Sequence, residues 1–353
     1  MTSSKEDGTA ATDEQLGSLS LGESVQRKDN DTEPTAKSGT TPVKKLCSEC
    51  GEKSKTLKKC TACKCVWYCD KDCQNKHRKE HRKECRLIKK ELDKRGGKLD
   101  VGTEVDVGPI GKLPPREECP ICMRVSPLHA KLTGYAACCG KTLCGGCNLQ
   151  HQVKRGEEAT CAFCRTAVPE SEEGDFFSLL SKRVKLKDPT ALHHMAMGYG
   201  HGYYGVPVDQ AKCVELMRQS ADLGNPDALF LLGSFYDKGK MGLERNKEQT
   251  LKYYKEAGKG GHLASLCNLG NVMAKDGDYA AAMCHWRLSA SGGLRPSMDN
   301  LIAYFEDGLL HHGDLAETLQ AFYRSRAELK SEGRDQYIKY LKLAGGYREE
   351  FDI

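Results

Sequence analysis

No run of this 353-residue chain is apolar enough to cross a bilayer, and its opening residues, Met1–Gly8, are polar and acidic where a secretion signal has an apolar core. Aromatic residues are scarce, with two tryptophans and eight phenylalanines in all, and residues 1–43 hold neither these nor a tyrosine or cysteine. Up to residue 40 only Leu16, Leu19, Leu21 and Val25 offer apolar bulk, too little to offset the entropy of ordering, so 1–43 is expected to be a disordered tail. A phosphate-binding glycine loop of the P-loop pattern is also missing. The net charge of +5 is small for the length and by itself favours no class of partner. Cysteine, by contrast, is abundant at 19 residues. Without a secretion signal these thiols point to a reducing, intracellular setting, cytoplasmic and/or nuclear, where clustered cysteines bind metal rather than one another.

Sixteen metal-ligand positions fall in two blocks of eight. The first is Cys47, Cys50, Cys60, Cys63, Cys69, Cys73, His81 and Cys85; the second is Cys119, Cys122, Cys138, Cys139, Cys144, Cys147, Cys161 and Cys164. At four ligands per tetrahedral site they would hold four zinc ions. Each Cys-x2-Cys turn presents two thiolates to one ion, and the x3 spacings of Cys69/Cys73 and His81/Cys85 put those pairs one helical turn apart. Closed four-ligand sites leave no open position for an activated water, so hydrolase or redox chemistry finds no support. Cys65 is an extra thiol whose neighbour Cys63 already completes a spaced pair. His77 reads as a solvated helix residue.

Between Lys76 and Arg95 stand ten Lys/Arg and four Asp/Glu. The simple reading is the solvated face of a helix; the functional one is nuclear import or contact with a phosphate backbone. No aromatics are interleaved to stack on bases, which makes nucleic acid the lesser partner. Residues 96–116 are Gly/Pro-rich and read as a linker, and 169–187 as a connector that begins acidic.

From residue 188 the chain repeats. Asp188-Pro189-Thr190-Ala191 returns 37 residues later as Asn225-Pro226-Asp227-Ala228, Tyr199 and Gly202 return as Tyr236 and Gly239, and Gly224 returns as Gly261. A weaker third copy places Ser265, Leu269 and Gly270 where Ala228, Leu232 and Gly233 stood, and a shortened fourth starts near Pro296-Ser297. Leu229, Leu232, Phe235 and Tyr236 form a helical apolar stripe, read as core rather than ligand pocket. Such a period predicts an α-solenoid of helix pairs over 188–353, with Gly202, Gly224, Gly239 and Gly261 supplying positive φ at helix ends. Cys213, Cys267 and Cys284 read as small core fillers, and Asp314–Leu343 as a polar helical cap.

Three resemblances follow from these residues. The repeats resemble Sel-1-like repeats, whose small, Tyr, Gly and Asp positions appear as Ala191, Tyr199, Gly202, Gly205 and Asp209; this implies a curved α-helical scaffold that holds other proteins. The first block, within 44–95, resembles a MYND-type zinc finger, including Tyr68-Cys69 and Cys73-Gln74. The resemblance implies that Cys47, Cys50, Cys69 and Cys73 hold one zinc and Cys60, Cys63, His81 and Cys85 the other. It also implies peptide binding at Gln74, although Arg78 stands where the family's groove has Trp. The second block, within 117–168, resembles a RING-type finger in an all-cysteine form, with Lys141 where many members carry His. That likeness implies a cross-brace pairing Cys119/Cys122 with Cys144/Cys147 and Cys138/Cys139 with Cys161/Cys164, with His151 as a reserve ligand because adjacent cysteines on one ion are tight.

The expected architecture is therefore mainly α: two cross-braced zinc modules ahead of a helical solenoid. The RING resemblance implies a ubiquitin ligase or ligase subunit without a nucleophile of its own. It would recruit a ubiquitin-conjugating enzyme through Ile121 and Arg165 and act by positioning, while the repeats and the MYND finger hold substrates or adaptors. Two departures, Ala162 for the usual Pro and no docking aromatic after Cys147, favour the alternative of a non-catalytic protein-interaction adaptor. A nuclear regulator touching nucleic acid through the basic stretch is the third reading.

Overall fold

The 37-residue period becomes pairs of antiparallel helices. The computed structural model describes residues 46–52, 56–108, 110–128, 132–155, 160–167 and 174–345, which share one compact unit, Ser38–Ile353. The tail expected to be disordered, 1–43, lies outside the described residues. Four pairs follow one another: α4 (Pro189–His201) with α5 (Gln210–Asp222), α6 (Pro226–Lys238) with α7 (Lys247–Lys259), α8 (Leu263–Lys275) with α9 (Tyr279–Ser291), and α10 (Arg295–Glu306) with α11 (His312–Leu329). Ahead of them, α3 (Gly174–Lys185) lies in the stretch read as a connector and packs on α4 through buried Leu180. Among the described residues no helix is long and apolar enough to cross a membrane.

The repeat positions explain the helix starts. Asp188, Asn225 and His262 each cap a first helix by accepting from a backbone N–H of its first turn, and Pro189 and Pro226 follow where a missing N–H costs nothing. Three residues after each N-cap, Asp188, Asn225, His262 and Leu294, comes a small residue, Ala191, Ala228, Ser265 and Ser297, and all four are wholly buried. Gly202 and Gly239 end their helices in the left-handed region at φ 74° and 65°, and Gly224 and Gly261 turn the chain at φ 84°.

Small residues also let the paired helices touch. A Cβ on Gly270 would lie 2.5 Å from Nε1 of Trp286 and 3.0 Å from the Ala282 carbonyl oxygen. The indole cannot retreat easily, because its N–H serves the Cys267 carbonyl and Asn271 Oδ1. Gly270→Ala is therefore expected to destabilise the array by about 1–3 kcal/mol through overpacking, despite alanine's better helix propensity. Urea denaturation tests this; a more stable variant would contradict the packing argument.

The cysteine blocks form two small modules. In the first, β1 (Lys58–Lys59) pairs antiparallel with β2 (Trp67–Tyr68) and α1 (Lys71–Lys94) follows; in the second, β3 (Thr133–Ala136) pairs antiparallel with β4 (Lys141–Cys144) and α2 (Gly145–Arg155) follows. Neither module stands apart from the array. One face of α1 is buried, and Ile88 and Leu92 join Phe305, Leu315, Leu319 and Phe322 in one core. The outer face carries Lys76, Arg78, Lys79, Arg82, Lys83, Arg86, Lys89, Lys90 and Lys94, all exposed, as the solvated-face reading expects.

Several expectations need correction. His77 is not solvated: it is 2% exposed, with Tyr68 Oη 2.9 Å from its Nδ1. Of the Asp314–Leu343 stretch expected to be a polar cap, the α11 part is instead core, since Leu315, Leu319 and Phe322 are wholly buried; the next helix, α12 (Glu332–Leu343), is mostly exposed and packs against α2, where Tyr337 lies on the bare backbone of Gly145. Cys213 and Cys267 are core fillers, but Cys284 is exposed and its thiol donates to the Val107 carbonyl at 3.2 Å. That carbonyl belongs to the 96–116 segment, which runs along the array as a strap: the Val105 N–H donates to the Leu309 carbonyl, the Thr103 hydroxyl to that of Gly308, and Val107 is buried.

Candidate metal centres

Four Cys-x2-Cys turns are built alike. The N–H of the residue after the second cysteine returns to the first cysteine's carbonyl: Gly51 to Cys47, Lys64 to Cys60, Met123 to Cys119 and Arg165 to Cys161, at 2.9–3.0 Å. The first cysteine's own N–H then bonds forward to Glu52, Val66, Arg124 or Thr166. This knuckle forces the residue after the second cysteine into the left-handed region, at φ 73° for Gly51, 59° for Lys64, 53° for Met123 and 65° for Arg165. Three of these are not glycine, and each such strained residue costs of order 1 kcal/mol, sustained only where the surroundings over-determine it.

The knuckles and flanking elements bring the sixteen side chains into four quartets: Cys47, Cys50, Cys69 and Cys73; Cys60, Cys63, His81 and Cys85; Cys119, Cys122, Cys144 and Cys147; Cys138, Cys139, Cys161 and Cys164. Within each, all ligand atoms lie inside 4.8 Å of one another. Sulfur–sulfur edges range from 3.3 Å for Cys69–Cys73 and 3.4 Å for Cys138–Cys164 through 3.8 Å for Cys50–Cys69 and Cys60–Cys85 to 4.0 Å for Cys139–Cys161. A tetrahedron with Zn–S bonds of ~2.3 Å has edges of ~3.8 Å, so the donor sets fit zinc. In the first module Asp70 caps α1 by accepting from the Cys73 N–H at 2.8 Å, which fixes Cys73 beside Cys69 at the start of the helix.

Electrostatics tell the same story. Burial pushes the Cys47 thiol up, yet backbone N–H groups of Cys50, Cys69 and Glu49 outweigh it and bring the thiol down to about 7. Cys119 reaches about 7 in the same way, against burial, through N–H groups of Cys144, Cys122 and Ile121. The Thr166 hydroxyl holds exposed Cys164 down at about 6. Their quartet partners are driven the other way: Cys73 by its bond to the Cys69 thiol, Cys147 and Cys138 first by burial. In each of these three quartets one thiol ionises easily and a partner beside it resists; a divalent cation at the centre removes that conflict.

The adjacent pair Cys138 and Cys139 both enter the fourth quartet, because the Ala136 carbonyl accepts from the N–H groups of Cys139 and Gly140 while Gly140 turns at φ 73°. His151 lies elsewhere: its Nε2 is 3.0 Å from the Thr160 hydroxyl and its Nδ1 2.9 Å from the Arg165 guanidinium. Cys65 is wholly buried outside the quartets, with its Sγ 3.2 Å from His312 Nε2. Gln74 sits half-buried in the first turn of α1, with exposed Arg78 one turn on. Ile121, at 42% exposed, and Met123, at 68%, stand on one knuckle of the second module; Phe163, at 44%, and Arg165 stand on the other. Residue spacing alone missed His312 and Tyr323, whose contacts with the first module span about 240 positions of sequence.

With this geometry in hand, the family comparisons fall on two regions. Residues 47–85 match the MYND finger, and residues 189–225 and 226–262 match the Sel1 repeat. A SET and MYND domain-containing protein of Dictyostelium discoideum is 45% identical over 49 residues, which are 12% of this chain and 9% of that protein, so the chain spans a small part of that relative's length. Among solved structures, a Sel1 repeat protein from Oxalobacter formigenes aligns at 21% identity over 35% of this chain and 93% of its own, with a TM-score of 0.32. The protective antigen c5321 of uropathogenic Escherichia coli, which displays an SLR fold, aligns at 20% identity over 57% and 50%, with a TM-score of 0.30. The chain thus carries a MYND finger and Sel1 repeats, modules of zinc binding and protein interaction, on a mainly helical frame.

Proposed function

We propose that this protein is a zinc-dependent scaffold for other proteins, with one zinc ion in each of the four quartets. The observation that carries the reading is the sharing of one core between the finger and the helical array, which sets two protein-binding modules in a fixed relation. The sixteen proposed ligands are Cys47, Cys50, Cys69, Cys73, Cys60, Cys63, His81, Cys85, Cys119, Cys122, Cys144, Cys147, Cys138, Cys139, Cys161 and Cys164. Zinc held by four protein ligands supplies folding energy and no open coordination position. The expected result is that the chain purified from its cells carries about four zinc equivalents and stoichiometric protein partners that leave on chelation. Recovery free of partners, or with partners indifferent to chelation, contradicts the scaffold.

A second reading, a RING-type ubiquitin ligase, is favoured by the exposure of Ile121, Phe163 and Arg165 on the two knuckles of the second module. A conjugating enzyme would seat on Ile121, and the Arg165 guanidinium would hold its ubiquitin in the reactive pose. Arg165→Gly is the apt variant, since it removes the charge and relieves the positive φ together. Autoubiquitination with a panel of conjugating enzymes is expected to fall about tenfold or more in Arg165→Gly and Ile121→Ala, equivalent to about 1.4 kcal/mol of lost positioning, with zinc retained. Silence of the native chain with every conjugating enzyme leaves the scaffold alone.

A further inference from the structure

The second metal quartet of the finger is enclosed by a helix that lies more than 200 residues away in sequence. Three α11 residues reach it: His312, Gln320 and Tyr323. His312 Nε2 lies 2.9 Å from the Cys63 carbonyl oxygen, and Gln320 Nε2 donates to the Cys65 carbonyl at 3.3 Å, so both hold the knuckle that carries Cys63. Tyr323, three turns after His312 and on the same face, places its hydroxyl 3.2 Å from His81 Nδ1. The same hydroxyl donates to Glu84 Oε2 at 3.0 Å, and the other Glu84 oxygen pairs with the Arg295 guanidinium on α10.

The chemistry of this chain fixes a tautomer. Tyr323 has one hydroxyl proton, and Glu84, 1% exposed, is an anionic acceptor that must be satisfied. The proton goes to Glu84, so the hydroxyl oxygen accepts from His81 Nδ1–H. Nε2 is then bare, and it lies 3.1 Å from Cys63 Sγ, inside the quartet. The tyrosine ring meets the edges of His77 and His81 at 89°, with centroids 4.2 and 5.7 Å away, which prevents either imidazole from swinging.

We propose that the helical array completes the outer shell of the Cys60, Cys63, His81 and Cys85 site, with Tyr323 as the positioning residue for His81, so that metal binding there and docking of the finger on the array are one linked equilibrium. This rests on the zinc reading above. Outer-shell partners of a ligating histidine typically change metal affinity by about 10–100-fold. Linkage is reciprocal: a docked α11 tightens the ion, and the ion tightens α11 by the same factor. Among the described residues, the side-chain bonds to the ligands of the finger's other quartet come from the finger itself, and that site is expected to be insensitive.

The test uses the full chain loaded with zinc and titrated with a chromophoric chelator. In Tyr323→Phe, which keeps the ring and loses the hydroxyl, one of four equivalents is expected to leave at about 10–100-fold lower chelator while the other three are unchanged. The 15N spectrum of His81 separates positioning from mere packing: the Nδ1 proton, slow to exchange in the native chain, becomes labile. Should Tyr323→Phe lose all its metal at once through misfolding, Glu84→Gln decides, since it leaves the ring and tyrosine in place and is expected to loosen the same single ion. Release identical to the native chain in both variants overturns the proposal. A native chain that binds no zinc at all would overturn the zinc reading instead. Faster amide exchange along 312–329 after removal of the most labile ion is the reciprocal signal; unchanged exchange there contradicts the linkage.

Discussion

Exhaustive chelation of the reduced protein is expected to unfold residues 46–95 and 117–167 while helices α4 to α9 remain protected from amide exchange. The finger's buried residues are largely its own thiols, Cys47, Cys60, Cys63 and Cys65, with Val66 and Tyr68 as the apolar part before α1 begins. Such a set is too small to offset the entropy of ordering the roughly twenty-five residues before α1, at about 1–2 kcal/mol each. Metal binding, at about 10 kcal/mol or more per structural site, makes the difference. Without it each quartet becomes several thiols crowded within 4.8 Å, stripped of the ion that let them ionise together. The first repeats have a core apart from the finger's, with Leu192, Leu216, Met217, Leu232 and Phe235 in it. Exchange mapped by mass spectrometry before and after chelation reads the outcome. Full protection of both cysteine segments in the metal-free chain would show that something other than metal folds them. Acidification should act in the same direction, because protons compete with zinc for the thiolates.

What could be seen in the chain itself was local or periodic. Asp188, Asn225 and His262 recur at equal spacing because each starts a helix at the same step of the array, and a capping side chain announces itself within three residues. The Cys-x2-Cys knuckles are equally local, since four residues and one turn suffice to define them. Contacts between distant segments left no such mark. His77 looks like any polar helix residue until α11 is placed over it, and the 96–116 segment looks like a free linker because its anchors are backbone carbonyls, which every residue possesses. The helix expected as a cap shows why: Leu315, Leu319 and Phe322 lie at helical spacing, but whether that stripe faces solvent or core depends on α1, some 240 residues earlier. His312 and Tyr323 escaped for the same reason. A hydrogen bond to a ligand across that distance carries no spacing to read.

Replacement of Arg287 by methionine is expected to cost about 3 kcal/mol at neutral pH, the lower end for breaking a buried charge pair. Arg287, on α9, is 1% exposed and gathers the chain around it: Asp314 at 3.0 Å and Glu317 at 2.9 Å on α11, the Thr318 hydroxyl at 3.3 Å, and the Gly108 carbonyl of the strap. Methionine fills the stem's volume but leaves the two carboxylates, 23% and 29% exposed, facing each other without a cation. The loss should depend on pH with a definite sign. Burial already pushes the Asp314 carboxyl above its ordinary value, and Arg287 opposes that shift. A carboxyl raised in the folded state favours folding fully when protonated, below its unfolded value, and that contribution is lost as pH rises through the folded value. Without Arg287 the rise is larger, so the variant's deficit is greatest at neutral pH and shrinks toward acid. Urea denaturation of both proteins from pH 7 down to pH 5, where zinc is checked to be retained, measures this. Neutralising the stranded acids, in Arg287→Met with Asp314→Asn and Glu317→Gln, should recover most of the loss, because a packed site without charge has no desolvation to offset. The strap gives the second readout: its amides at 105–108 should exchange faster in Arg287→Met. Equal stability of native and variant at pH 7, with the strap as protected as before, would mean that the guanidinium merely occupies space there.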